Sequence, residues 1–302
     1  MTNLFPIFYT NILPIFIAIG MGYALERILR PAVKPVSQVA FYVLAPCLAF
    51  SSLVKNRIDG GELGRIAAFI TLITVAVGII TWVVARVLHL SRPVESALLL
   101  STMFVNSGNY GVPLNLFAFG EAGQARAIVY LVVSTTLANT IGVYLAARGR
   151  ATAKQALLSL VKVPLIYAVL LAGAVTISGR TMPAPLFNAV DLVGRASVPV
   201  MLLILGMQLA QTSVTREVGT IGLATFIRLV VAPVLAFGLT AVMGLRGVTR
   251  QTMIVEASTP TAVTSTILAL EFDARPDLVT SAVFLSTLLS PLTLTAVIAL
   301  VK

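Results

Sequence analysis

The sequence predicts an all-α integral membrane protein: ten transmembrane helices in two inverted five-helix repeats, with helices four and nine broken and crossing. Three observations predict it. The 302 residues are 58% hydrophobic and 11% charged, with a mean hydropathy of +0.99, where a soluble domain carries about 25% charged residues. Apolar stretches of about 20 residues, the length that crosses a bilayer, recur along the chain between short charged connections. Two of those stretches, one in each half, contain helix breakers and polar side chains at matching depth.

In order, the expected spans are residues 4–25, 36–54, 63–88, 94–119 and 127–147, then 156–177, 185–210, 218–243, 249–270 and 278–301. The first begins MTNLFPIFYTNILPIF. That stretch has neither a positive leader nor a small-residue cleavage site, so it reads as a retained helix rather than a signal peptide. The connections ERILRPAVK, KNRIDGGELGR and RGRATAK are short and charged. Arg27, Arg30, Lys34, Arg86, Arg92, Arg148, Arg150 and Lys154 then share one face. Basic loops stay cytoplasmic, which puts the N-terminus outside and, after ten crossings, the C-terminus outside too. The formal charge of +10 is explained by this flanking of the spans, so no nucleic-acid partner is expected; the lipid bilayer is.

The halves, 1–150 and 151–302, echo each other. Glu62-Leu-Gly-Arg-Ile66 returns as Glu217-Val-Gly-Thr-Ile221, Pro46 falls opposite Pro199, and Val133-Ser-Thr135 opposite Leu285-Ser-Thr287, all at offsets of about 152 to 155 residues. Five spans per half is an odd number, so the second half enters upside down. Inverted repeats mark secondary transporters, whose sites lie near the midplane where the repeats meet.

The fourth span contains FVNSGNYGVPLN, residues 104–115. An unpaired backbone group in lipid costs several kcal/mol, so non-helical backbone at that depth must line a cavity or be buried in protein. Gly108, Gly111 and Pro113 argue for an interruption, and Asn106 and Asn109 offer amides that both donate and accept. At the same offset the ninth span reads EASTPTAVTST, residues 256–266, with Pro260 opposite Gly108. Crossing half-helices there present positive N-terminal ends that suit an anion.

The string N-S-G-N-Y-G-V-P-L resembles the fourth-helix motif of bacterial members of the auxin efflux carrier family. Ser258-Thr-Pro-Thr-Ala262 and Ala282-Val-Phe-Leu-Ser-Thr-Leu-Leu-Ser290 resemble that family's ninth and tenth helices. The resemblance covers essentially the whole chain. It implies a fold like that of the bile-acid sodium symporters, with spans one, two, six and seven as a scaffold and spans three to five and eight to ten as a transport domain. It further implies elevator-type movement, a homodimer, and a place in the plasma (inner) membrane. By motif position the crossover asparagine and proline of plant members fall on Asn106 and Pro113, with Gly111 between and Pro260 at the second crossing. Ser107, Asn109 and Thr261 stand in the same interruptions and join them as substrate-binding candidates. The long central loop of plant carriers is missing: only residues 148–155 separate spans five and six.

Arg228 falls near the middle of span eight. A charge at that depth faces a cavity or a partner, so Arg228 either attracts an anionic substrate or pairs with Glu256 on span nine. Glu256, a turn before Pro260, is the candidate for a coupling ion, H+ or Na+; no other cofactor is expected. Ser51 and Ser52 on span two, Asn139 and Gln208 are weaker candidates that could equally bond local carbonyls. Asp191 and Arg195, four apart, are expected to pair, and Lys162 to reach the interface from span six.

One cysteine, Cys47, and one histidine, His89, leave no metal cluster to build. No G-x-S-x-G, H-E-x-x-H or catalytic aspartate pair appears, so an enzyme is not expected. The expected function is secondary transport of a small organic anion, a dicarboxylate such as malonate or malate or an auxin-like carboxylate. The alternatives are sodium-coupled uptake of an amphipathic acid or, in a different class, an intramembrane enzyme or a channel.

Overall fold

The computed structural model describes residues 4–147, 161, 163–179, 182–212, 215 and 217–302. The expectations for Lys162, Arg148, Arg150 and Lys154 lie outside them. The described chain is helical: α1 (Leu4–Leu29), α2 (Val33–Lys55), α3 (Gly60–Val87), α4 (Arg92–Met103), α5 (107–119), α6 (121–146), α7 (Pro164–Ser178), α8 (Ala184–Ala210), α9 (Val218–Val242), α10 (Gly247–Ala257), α11 (Val263–Glu271) and α12 (Pro276–Val301). Among the described residues, the one isolated pairing of extended backbone is an antiparallel bridge between Val105 and Thr261.

Local chemistry starts and stops these helices. Asp59 accepts from the Gly61 N–H at 2.9 Å, capping α3. Proline in the first turn opens α4, α7, α8 and α12, where the missing N–H has no intrahelical partner to lose. Gly179, left-handed at φ 62°, closes α7.

Among the described residues, seven helices are long and apolar enough to cross a membrane, counting α5 and α6 as one 40-residue stretch, Ser107–Ala146. The other expected spans do not meet that measure as single helices. The fourth and ninth are interrupted, and the described part of the sixth, Pro164–Ser178, is 15 residues. The sequence places a connection over residues 120–126. The structure uses Gly120 alone, because Glu121, Ala122, Gln124, Ala125 and Arg126 favour helix. Gly120 sits at φ 68°, ψ −162°, a region that glycine alone occupies without strain. The space around it is open, so the constraint is the backbone itself. Gly120→Ala is expected to cost on the order of 1–3 kcal/mol, read as a lower melting temperature of the purified protein. An unchanged melting temperature would show that the α5–α6 turn has another geometry available.

Packing follows small residues. α1 and α8 touch backbone to backbone: a Cβ on Gly22 would fall on the Leu203 backbone, and one on Gly206 on the Ile19 carbonyl. Gly194 of α8 also lies close against the backbone of Leu48 of α2, though less tightly. Such close approach drives helix association where lipid is as apolar as the side chains. The main apolar core draws Ile66, Phe69 and Ile73 from α3, Leu114 from α5, Ile254 from α10 and Ile298 from α12. Trp82, Ile177, Val242 and Leu292 point outward, as a lipid-facing surface allows.

Candidate functional site

Residues 104–106, between α4 and α5, and residues 258–262, between α10 and α11, lie side by side. The Asn106 N–H donates to the Pro260 carbonyl at 2.8 Å, and the Ala262 N–H to the Phe104 carbonyl at 2.9 Å. Each interruption thus supplies partners that the other lacks. The freed carbonyls at the C-terminal end of α4 are taken by side chains of the second half. Ser265 Oγ donates to Leu100 at 2.8 Å, Thr261 Oγ1 to Ser101 at 2.7 Å, and Arg228 Nη1 to Thr102 at 2.6 Å. At the end of α10, Ser258 Oγ donates to Ile254 at 2.7 Å, Thr259 Oγ1 to Glu256 at 2.7 Å, and Arg228 Nη2 to Ala257.

Arg228 is therefore a double cap. It is 2% exposed and sits in a π-helical turn of α9, Ile227–Val231. Its guanidinium fork joins the carbonyl ends of two half-helices, where the macrodipole is negative. Both Nη groups go to backbone, not to Glu256, so of the two alternatives for Arg228 the pair with Glu256 is not formed, and two helix caps stand in its place. A planar guanidinium can bridge two carbonyl ends at once.

Glu256 is fully buried. Its Oε1 accepts from Asn115 Nδ2 at 2.9 Å, and the same amide nitrogen donates to the Gly111 carbonyl at 3.0 Å. Glu256 Oε2 and Asn115 Oδ1 have no partner. A Cβ on Gly111 would collide with the Glu256 carboxylate, so glycine is what leaves room for the acid. Asn115 is the residue that sequence reasoning passed over. It closes the quoted fourth-span stretch, and its spacing of four from Gly111 was the available signal.

Asn106 is 5% exposed and its Nδ2 has no partner. Ser107 Oγ lies 3.0 Å from Ser134 Oγ. Asn109 is half-buried. Tyr110 accepts from Ser290 Oγ at 3.0 Å. Pro113 does not mark the break itself. It lies in the first α-helical turn after a π-helical turn, Ser107–Gly111, whose wider winding absorbs the missing N–H. Pro260 and Thr261 form the second interruption.

Ser51 and Ser52 line a separate cavity of about 300 Å³ between α2 and α8 on one side and α5 and α6 on the other, with Leu116, Glu121 and Gln124 on the latter. Asp191 and Arg195 pair at 2.8 Å, joined by Lys55 at 2.6 Å, on the α2–α8 wall of that cavity. Asn139 donates to the Thr135 carbonyl at 2.8 Å, and Gln208 Oε1 has no partner.

A family model described as membrane transport protein matches the chain over residues 7–151 and 146–298. An uncharacterized transporter of Methanothermobacter thermautotrophicus is 27% identical over 285 residues, covering 93% of this chain and 94% of its own. The uncharacterized transporter MJ1031 of Methanocaldococcus jannaschii is 25% identical over 264 residues, covering 85% and 86%. With the apolar helices, these matches make the chain a multi-pass membrane protein. Matched from end to end and carrying both interruption motifs, the chain belongs to the membrane transport protein family, that of the auxin efflux carriers.

Proposed function

We propose that the protein is a secondary transporter, not an enzyme, and that it moves a small organic anion, a dicarboxylate such as malonate or malate or an auxin-like carboxylate. One observation carries this reading. The negative, carbonyl ends of α4 and α10 are capped by Arg228, Ser265, Thr261, Ser258 and Thr259. The positive ends of α5 and α11 carry no side-chain cap. The field at the two interruptions is therefore biased toward an anion. Asn106, Ser107, Asn109, Gly111, Pro113, Pro260 and Thr261 frame that place.

In this reading α4–α5 and α10–α11 are spans four and nine of ten, crossing between inverted repeats 1–150 and 151–302. Two ion pairs support the symmetry. Glu62 at the start of α3 pairs with Arg126 at 2.7 Å, and Glu217, its repeat counterpart before α9, pairs with Arg275. α1, α2, α7 and α8 form the scaffold and the remaining helices the moving body, with the 300 Å³ cavity on the boundary where an elevator step would slide. The assembly is a homodimer in the inner membrane with both termini outside.

The test begins with a thermal-shift screen of carboxylates, since a ligand of the folded state raises its melting temperature. Hits are then assayed in proteoliposomes. Uptake of at least one carboxylate is expected. A protein that moves none under any ion gradient would refute the reading.

A further inference from the structure

We infer that Glu256 and Asn115 form a proton site, in which one proton completes a cyclic acid–amide pair and its loading favours the bound anion; this rests on the transporter reading above. One hydrogen bond already joins the two side chains: Asn115 Nδ2 donates to Glu256 Oε1 at 2.9 Å. The two atoms left over are Glu256 Oε2 and Asn115 Oδ1, both without a partner on fully buried residues. Both are acceptors when the acid is ionised, so the charged form leaves two buried lone-pair sites unsatisfied. A single proton on Oε2 turns that oxygen into a donor, and Asn115 Oδ1 is the acceptor it lacks. The ring needs no other group, and Gly111 is the notch that admits it.

The surroundings favour a proton over a metal cation. A hard cation gathers about six or more oxygens, and here two are free. The nearby carbonyls of Thr102, Phe104, Ala257 and Pro260 already accept hydrogen bonds. Among the described residues no group of three or more His, Cys, Asp and Glu side chains could hold a metal ion. The ionisable groups around Glu256 are few. Tyr130 of α6 lies within electrostatic reach of both Glu256 and Arg228. Tyr110 of α5 is engaged with Ser290, and Arg228 of α9 is held by two carbonyls. α3 and α12, also packed against α10, carry ionisable side chains only near their ends. Among the described residues, no cation hydrogen-bonds the Glu256 carboxylate. A neutral Glu256 does not repel an anion at the neighbouring interruption, whereas a charged one does. Proton and anion therefore assist each other's binding reciprocally, which is the linkage of a proton–anion symporter.

Two measurements decide this, and the first needs no substrate. Infrared spectroscopy of the full-length protein in lipid should show a protonated-carboxyl C=O band at neutral pH that is missing from Glu256→Gln. Absence of that band in the wild type would overturn the proposal. Should the variant not fold, sodium chloride titration of the wild type against choline chloride decides instead: no thermal shift is expected, and a saturable stabilisation by sodium would overturn it. In proteoliposomes, an acid-outside gradient should accelerate uptake of a transported carboxylate several-fold in wild type and leave Glu256→Gln unchanged. Transport driven by sodium alone would refute the proton site while leaving the transporter reading intact. Failure of every carboxylate to move would refute the transporter reading while the infrared band still reported on the site.

Discussion

Arg228→Ala is expected to collapse the stability of the protein rather than merely weaken anion binding. The substitution strips the caps from Thr102 and Ala257 at once. Hydrogen bonds to a charged group are worth about 1.5–3 kcal/mol each, so the loss is on the order of 3 kcal/mol or more. Native proteins hold only about 5–15 kcal/mol in reserve. Poor recovery and a sharply lowered melting temperature in detergent should result. Arg228→Lys should recover only part, because an ammonium cannot bridge two carbonyl ends as a planar fork does. The double variant with Glu256→Ala should be no better than Arg228→Ala alone, since the two side chains share no bond. Rescue by the double variant would restore the ion-pair interpretation. A stable Arg228→Ala that binds the anion weakly would instead place the guanidinium in the substrate's path.

Asn106→Ala should do the reverse, leaving stability near wild type and removing transport. The Asn106 backbone N–H holds the bridge to Pro260, and alanine keeps that group. Its side-chain nitrogen is buried without a partner, so truncation removes no hydrogen bond made by that atom. A buried amide with unused donors at the meeting point of two positive helix ends is poised for a ligand instead. Uptake is expected to fall at least about tenfold, the equivalent of roughly 1.4 kcal/mol of lost interaction. The check is initial uptake rate in proteoliposomes beside the melting temperature of the same preparation. A variant that loses both together would make Asn106 a structural residue.

The interruptions themselves were legible in the chain. Asparagines, glycines and prolines inside an apolar stretch violate the chemistry of a lipid-exposed helix, and a violation at matching positions in both halves is hard to miss. The exact element that breaks was not. Of the three residues that argue for an interruption, Gly108, Gly111 and Pro113, Pro113 rides inside a helix because a preceding π-helical turn takes up its missing hydrogen bond. From sequence alone the Gly120 turn reads as a longer connection, since no local signal distinguishes one φ-positive glycine from a short polar loop. Asn115 went unassigned because its role depends on a carboxylate 141 residues away.

The likeness of its motifs pointed to the family of the auxin efflux carriers, and the sequence by itself determined that this chain crosses a membrane several times and that two of its apolar stretches are interrupted. Those are properties of composition and local order: hydropathy, the absent N–H of proline and the freedom of glycine act within a few residues. Only the tertiary structure decided what each polar side chain in the interruptions bonds to. Arg228 and Glu256 fall on consecutive expected spans, but the carbonyls that claim Arg228, those of Thr102 and Ala257, lie at the two interruptions, and the amide that claims Glu256 comes from α5. A buried charge takes the strongest partners within reach, and reach is set by how the two broken helices meet.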